Sequence, residues 1–158
     1  MDDPTIEDVV EGILQDAVDA AVEGETVFGG EVKDDWQTIT KDFGYIVGDC
    51  VATPAPKPGG EMGECDALLV VVAFARVVGQ DKTERKAARR KARALYLRAS
   101  KIFSDNPQMG GLMRDSRILR CRRGFDSISS ADVYAVVHMP LICNETGQQV
   151  DEEGRLYE

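Results

Sequence analysis

Residues 67–78, ALLVVVAFARVV, form the stretch that decides the fold. The run is apolar up to Arg76 and rich in β-branched valine, a pattern that predicts a strand buried on both faces of a sheet. It is far shorter than the roughly 20 apolar residues that a membrane-spanning helix requires. We therefore expect a central strand that needs cover on both of its faces.

A basic helix is predicted directly after this strand. Asp81 and Glu84 have the spacing of a helix capping box, and residues 85–104 contain no glycine or proline. Apolar residues recur every three or four positions along this segment, which predicts a buried stripe formed by Ala88, Ala92, Leu95, Ala99 and Ile102. The opposite side of the helix is rich in arginine and lysine.

Two more strands are predicted beyond the helix, over residues 116–123 (SRILRCRR) and 133–143 (VYAVVHMPLIC), with a loop at 124–132. Pro140 indicates an edge position or a bulge in the second of them. Strict alternation in the first strand predicts two faces. One face contains Arg117, Leu119, Cys121 and Arg123, and the other contains Ile118, Arg120 and Arg122.

The amino-terminal half predicts one more helix and further strands. Apolar residues from Ile6 to Ala21 recur at helical spacing, with Gly24 suited to the end of the helix. Residues 36–40 and 45–52 favour strands. The segment 53–64 contains three prolines and several glycines, which predicts a protruding loop.

These elements predict an α+β fold with a mostly antiparallel sheet of four or five strands and two helices packed on one face. The expected order is α-β-β-(β)-β-α-β-β, because consecutive strands without crossover helices favour antiparallel pairing. Residues 1–147 form the single predicted domain, and residues 148–158 form an acidic tail. Two helices cover only one face of such a sheet, so we expect association with other subunits to cover the second face.

The sequence contains no motif that favours catalysis, and we expect no enzyme, cofactor or metal site. His138 is the only histidine, and no nucleophile-elbow or phosphate-loop pattern occurs. The four cysteines are widely spaced, so neither a disulfide framework nor a zinc knuckle is predicted. The start of the chain is acidic rather than basic, and we therefore expect an intracellular protein with reduced thiols.

Charge is distributed very unevenly along the chain. Residues 1–66 contain 17 acidic and three basic residues, whereas residues 76–123 contain 15 basic and four acidic ones. This asymmetry allows three interpretations of the basic segment: a surface for an acidic protein partner, a surface for nucleic acid phosphates, or a solvated face without a partner. The strand predicted at 116–123 lacks the interleaved aromatic residues of a base-stacking surface.

From residue 64 onward the sequence resembles the tail terminator, or tail completion, proteins of long-tailed bacteriophages. The strand CDALLVVVAFARV is followed by an alanine- and arginine-rich helix, then by NPQMGGLMRDSRILRCRRGFD and finally by YAVVHMPLICNETG. A Gly-Gly turn before the penultimate strand and a final strand of the YAVVxxPLxxNETG type recur in that family. The resemblance covers about half of the chain.

This resemblance implies a virion protein, made in the host cytoplasm, that forms a hexameric ring at the head-proximal end of the tail tube. The ring ends polymerisation of the tube and joins the tail to the head connector. Expected partners are other copies of the chain, the tail-tube protein and the connector or stopper protein, with passing contact to DNA in the channel and none to a membrane. The predicted interaction residues are Pro54, Pro56, Lys57, Pro58, Gly59, Gly60, Arg117, Arg120, Arg122 and Arg123.

Two alternatives remain open from the sequence. One is another head–tail joining or minor tail protein of the same fold class. The other is a nucleic-acid-binding module that uses the basic surface of residues 81–123.

Overall fold

A computed structural model of the protein describes residues 5–20, 29–54, 65–79, 81–108, 113–127 and 133–145. Two α-helices, one 3-10 helix and seven strands occur within these ranges. They are α1 (Ile6–Asp19), β1 (Glu31–Lys33), the 3-10 helix (Trp36–Thr38), β2 (Phe43–Val47), β3 (Val51–Pro54), β4 (Cys65–Arg76), α2 (Lys82–Asp105), β5 (Met113–Ile118), β6 (Arg122–Ser127) and β7 (Val133–Glu145).

The seven strands form one sheet with the order β1-β2-β4-β7-β5. Strand β3 pairs with the first part of β4 where β2 pairs with the last part, and β5 and β6 share β7 in the same manner. The sheet is therefore five strand positions wide. Its centre is the antiparallel pair β4–β7, in which Asp66 to Arg76 lie opposite Asn144 to Tyr134.

The α+β class and the two helices are confirmed, but the predicted sheet needs correction. The sheet is mixed rather than mostly antiparallel, because β1 runs parallel to β2, and the strand order differs from the predicted one. Residues 36–40 were predicted to form a strand, yet Trp36–Thr38 form a 3-10 helix that Asp35 caps at the amide of Thr38. The connection from β1 to β2 therefore crosses over and returns in the same direction, instead of forming a hairpin.

Both helices cover the same face of the sheet, as predicted. Leu14 of α1 and Leu95 of α2 are fully buried in one core with Leu69, Val71, Ala73 and Ala75 of β4. The phenol of the buried Tyr45 donates a hydrogen bond to the carbonyl oxygen of Leu95 at 2.5 Å, which ties β2 to α2. We call this face of the sheet the helix face and the opposite one the second face.

The helix ends follow from local capping. Thr5 and Asp8 exchange hydrogen bonds in a capping box at the start of α1, and the Asp81 carboxylate accepts from the amide of Glu84 at the start of α2. Helix α1 ends at Asp19, earlier than the predicted end near Gly24. Near the end of α2 the buried residue is Phe103 rather than the predicted Ile102.

Pro140 does not lie in an edge strand. It lies in β7 between β4 and the β5–β6 side, and its carbonyl oxygen accepts a hydrogen bond from the amide of Leu119 at 2.8 Å. In an antiparallel strand the N–H and C=O of one residue point to the same side. The proline ring therefore faces residues 119–121, where β5 has ended and β6 has not begun, so its missing N–H interrupts no ladder hydrogen bond.

Close approach of β1 to β2 depends on Gly44. The φ angle of Gly44 is 156°, and a Cβ there would overlap the carbonyl oxygen of Glu31. We therefore expect Gly44→Ala to lower the free energy of unfolding by more than about 2 kcal/mol, measured by denaturant titration. Gly124→Ala in β6 is the matched control, because its Cβ would meet no described atom within 4 Å and should change stability by less than about 1 kcal/mol. Equal losses in the two variants would contradict this role of Gly44.

Candidate functional site

The proline- and glycine-rich segment predicted to bind partners lies mostly outside the described residues. Pro56, Lys57, Pro58, Gly59 and Gly60 belong to this undescribed part of the chain. Pro54 is the last residue of β3, where it lies opposite Cys65 in the sheet. The predicted loop at 53–64 therefore begins later than expected, because Thr53 and Pro54 are part of a strand.

The four predicted arginines do not form one surface. The predicted strand 116–123 is broken at residues 119–121, and the break shifts the alternation of faces, so that Ile118 and Arg123 both lie on the helix face. Arg123 lies over the ring of Tyr96, with 5.8 Å between its guanidinium carbon and the ring centre. Arg122 lies opposite His138 on the second face, and Arg120 is exposed within the break. Arg117 is opposite Ile142 in the register.

A groove lined by cations lies between α2 and β6. It has a volume of about 470 Å³, and the charged residues that line it are Lys86, Arg89, Arg90, Arg93 and Arg123. Phe125 of β6 also lines it. We call this feature the cationic groove. No described carboxylate is among its lining residues, so the groove is a region of concentrated positive charge.

The order of residues on α2 and β6 explains this concentration. Arg89 and Arg90 each lie three or four positions from Lys86 and from Arg93, which places these side chains together on one side of the helix. Arg123 projects towards them because it lies on the helix face of β6. Like charges at these spacings repel each other by a few tenths of a kcal/mol per pair, roughly 0.2–0.5 kcal/mol. An anionic partner would relieve this repulsion.

Phe125 anchors the wall of the groove. The guanidinium carbon of Arg85 is 4.2 Å from the centre of the Phe125 ring, and that of Arg89 is 5.7 Å away. Such cation–π contacts contribute about 0.5–1 kcal/mol each at exposed sites. The prediction of a loop at 124–132 missed this residue. The alternation of Arg123 and Phe125 in RRGFDS is the signal that would have found the strand.

Helix α1 carries the opposite charge at the other edge of the sheet. It packs against β1 and β2, and its 14 residues include five acids and no base. The side chains of Asp8, Asp16 and Asp19 are exposed, while that of Glu11 is half-buried. We call these four residues the acidic face of α1.

The pKa values of two glutamates in α1 differ in direction for local reasons. Burial raises the pKa of Glu11, and the nearby carboxylates of Asp34, Asp8 and Glu7 raise it further. Burial also acts to raise the pKa of Glu7, but hydrogen bonds from its own amide and from the amide of Cys50 outweigh that effect and lower the pKa. The amide of Cys50 donates to Oε1 of Glu7 at 2.8 Å.

The second face of the sheet is covered at one end by the chain itself. Trp36 packs against Phe74 and Tyr134, with ring centres 5.5 and 5.6 Å apart. The buried carboxylate of Glu31 holds this segment in place, because it accepts hydrogen bonds from the amides of Thr40 at 2.6 Å and Lys41 at 2.7 Å. Part of the cover that we expected from other subunits is thus intramolecular.

An apolar row remains at the other end of the second face. Val51, Leu68 and Ile142 lie opposite one another on β3, β4 and β7, so their side chains project from the same face. Val51 is 65% exposed and Leu68 is 40% exposed, while Ile142 is half-buried. We call these three residues the apolar row. The continuous apolar pattern of β4 and β7 predicts two buried faces, and the row is the part that the described chain does not bury.

The described residues contain no cluster of three or more histidine, cysteine, aspartate or glutamate side chains suited to a metal ion. None of the helices in the described ranges is long and apolar enough to cross a membrane. The only histidine, His138, is half-buried in the central strand β7. The cationic groove, the acidic face of α1 and the apolar row are three candidate surfaces for function in the described part of the chain.

Loss of the Glu31 carboxylate should release the Trp36 segment. We expect Glu31→Gln to lower the free energy of unfolding by about 1–3 kcal/mol. The neutral Oε1 of glutamine accepts more weakly than a carboxylate from the amides of Thr40 and Lys41, and its Nε2 replaces the oxygen that accepts from the Thr40 hydroxyl. Trp36 is the only tryptophan, so its fluorescence emission should shift to longer wavelength in the folded variant. Glu11→Gln, which leaves this contact intact, should keep the emission of the unmodified protein. An unchanged spectrum in Glu31→Gln would contradict the proposed clamp.

Comparisons with known proteins identify no relative of this chain. No protein-family model matches the sequence, and no curated protein matches it. The resemblance to phage tail terminators therefore rests on the carboxy-terminal residues alone, and the family of the protein is not shown by these comparisons.

Proposed function

We propose that the protein is a structural subunit of a bacteriophage tail, a terminator that forms a ring at the head-proximal end of the tail tube. In this role the ring ends polymerisation of the tube and offers a surface to the head connector. The apolar row is the observation that carries the proposal. The resemblance of residues 64–147 to tail terminators supplies the particular assembly.

The apolar row supports assembly because its position is unusual for a surface of a monomer. Single exposed apolar residues are common on soluble proteins, but a row that crosses three neighbouring strands forms a continuous patch. Complete burial of a valine or leucine side chain contributes about 1.5–3 kcal/mol. Because Val51 and Leu68 are still exposed, their burial in an intermolecular contact would contribute a large part of this free energy.

Termination of tail tubes provides the direct test. Tail-tube protein encoded by the same genome would be polymerised with and without the full chain, and tubes would be examined by electron microscopy. We expect shorter tubes that carry a ring of extra density at one end. Tubes of unchanged length without such density, at protein concentrations well above that of the tube ends, would contradict the proposed function.

Variants of the apolar row connect this function to the structure. Val51→Glu should reduce the capping of tubes about tenfold or more, because burial of a carboxylate replaces burial of an apolar side chain. Val78→Glu is the matched control, since Val78 is 58% exposed and lies away from the row. Circular dichroism melting should show that both variants fold. Equal capping by the two variants would show that the row is not the contact surface.

A nucleic-acid-binding module is the second candidate, and the cationic groove is the observation that favours it. The cations would contact phosphates of the nucleic acid. A base would not stack on this face of the Phe125 ring, because the guanidinium group of Arg85 lies over it. This candidate predicts that duplex DNA binds at low salt and that the affinity falls steeply as salt is added. Absence of a gel shift at low ionic strength would exclude it.

A further inference from the structure

We propose that the cationic groove of one subunit binds the acidic face of α1 of a second copy of this chain, so that copies associate head to tail. The inference rests on the proposed function, since it names the contact through which the ring would close. It concerns different residues from the apolar row and can therefore be tested separately.

None of the described residues that line the groove carries a carboxylate to neutralise its cations. Arg76 and Asp42 form an ion pair with 3.5 Å between a guanidinium nitrogen and a carboxylate oxygen. This pair lies outside the groove. Lys86, Arg89 and Arg93 line the groove without a described carboxylate beside them. A partner that supplies carboxylates at helical spacing would replace this repulsion with attraction.

The acidic face of α1 meets this requirement. The acidic face runs from Asp8 to Asp19, 12 residues of helix that rise by roughly 16 Å at 1.5 Å per residue. The cations of α2 run from Lys86 to Arg93, eight residues that rise by roughly 10 Å. The acidic run is long enough to cover the basic one. Burial raises the pKa of Glu11 and neighbouring carboxylates raise it further, and cations of a partner would offset the effect of those carboxylates.

The topology of the sheet places these two surfaces at opposite edges. Helix α1 packs against β1 and β2, whereas the groove lies at β6, beyond β4 and β7. A surface and its complement on different sides of one subunit produce a heterologous contact. Repetition of such a contact generates a closed ring if the rotation between subunits closes, and a filament otherwise.

A second copy fits the groove better than a nucleic acid does. The protein has a net charge of −9, and residues 1–66 alone contain 17 acids against three bases, so a long polyanion would be repelled by the rest of the molecule. In a contact with a second copy, the acids of α1 instead attract the cations of the groove. The choice between the two is an outcome of the following experiment.

Charge reversal on each side tests the contact. The groove variant is Arg89→Glu, Arg90→Glu and Arg93→Glu, and the helix variant is Glu11→Lys, Asp16→Lys and Asp19→Lys. We expect each variant alone to associate at least about tenfold more weakly than the unmodified chain in sedimentation or mass photometry at low salt, because three attractive pairs become repulsive. An equimolar mixture should recover association, since alternating copies again present opposite charges at every contact.

A control variant separates the groove from general charge effects. Lys82→Glu with Lys101→Glu changes two exposed cations of the same helix that do not line the groove, and it should associate as the unmodified chain does. Circular dichroism melting of each variant before mixing verifies that it is folded, and recovery in the mixture is a readout that misfolded variants could not produce.

Three outcomes overturn the inference. If the groove variant associates and caps tail tubes like the unmodified chain, the ring forms through another surface and the proposed function stands. If the groove variant keeps association but loses affinity for duplex DNA, the groove is a nucleic acid site. If the unmodified chain neither associates nor caps tubes at any salt concentration, the inference and the proposed function fail together.

Discussion

The antiparallel pair β4–β7 is the interaction on which the rest of the structure depends. The two strands lie side by side over the whole of Asp66–Arg76, and every other strand of the sheet is hydrogen-bonded to one of them or, in the case of β1, to a neighbour of one. Both strands are apolar at successive positions, so both faces of the sheet carry apolar side chains. Each face must be covered by another part of the structure to remove these side chains from water. Cover on two faces is the constraint that places the helices and the crossover segment.

The two faces meet this constraint to different extents. On the helix face, small alanines of α2 such as Ala92 and Ala99 allow close packing, and Tyr45 joins β2 to the helix through a buried hydrogen bond. On the second face, the Glu31 carboxylate holds Trp36 over Phe74. That cover is short, and Val51 with Leu68 stays exposed beyond it. The proposed role as an assembly subunit starts from this incomplete cover.

The same arrangement separates the charges of the molecule. Helix α1 packs mainly against β1 and β2, and α2 lies over β4 and β7 with one side turned towards β6. The acids of the amino-terminal half and the bases that follow the central strand are therefore carried to opposite edges. Neither surface alone indicates a partner. Their complementary length and position are what favour a second copy of the chain.

The sequence by itself determined the two helices, the central strands and the asymmetry of charge, because each of these depends on periodicity or composition within a short window. Its capping residues Asp81 and Thr5 also act locally, so the starts of the helices could be predicted. The 3-10 helix at Trp36 was predicted as a strand because its aromatic and β-branched residues favour strands in isolation. Contacts of Trp36 with Phe74 and Tyr134, which are distant in the chain, and the hydrogen bonds of Glu31 to Thr40 and Lys41 place this segment over the second face.

The functional surfaces were decided by tertiary structure for a related reason. The break at residues 119–121 lies opposite Pro140, a proline in another strand, so strict alternation assigned Ile118 and Arg123 to different faces when the sheet places both on the helix face. The cationic groove could not be predicted without that shift. The residues at 56–60, which the sequence favoured for binding, lie outside the described residues and remain a prediction. Sequence patterns therefore determined which elements form, whereas pairing between distant strands decided which side chains meet, because register is a property of two strands together.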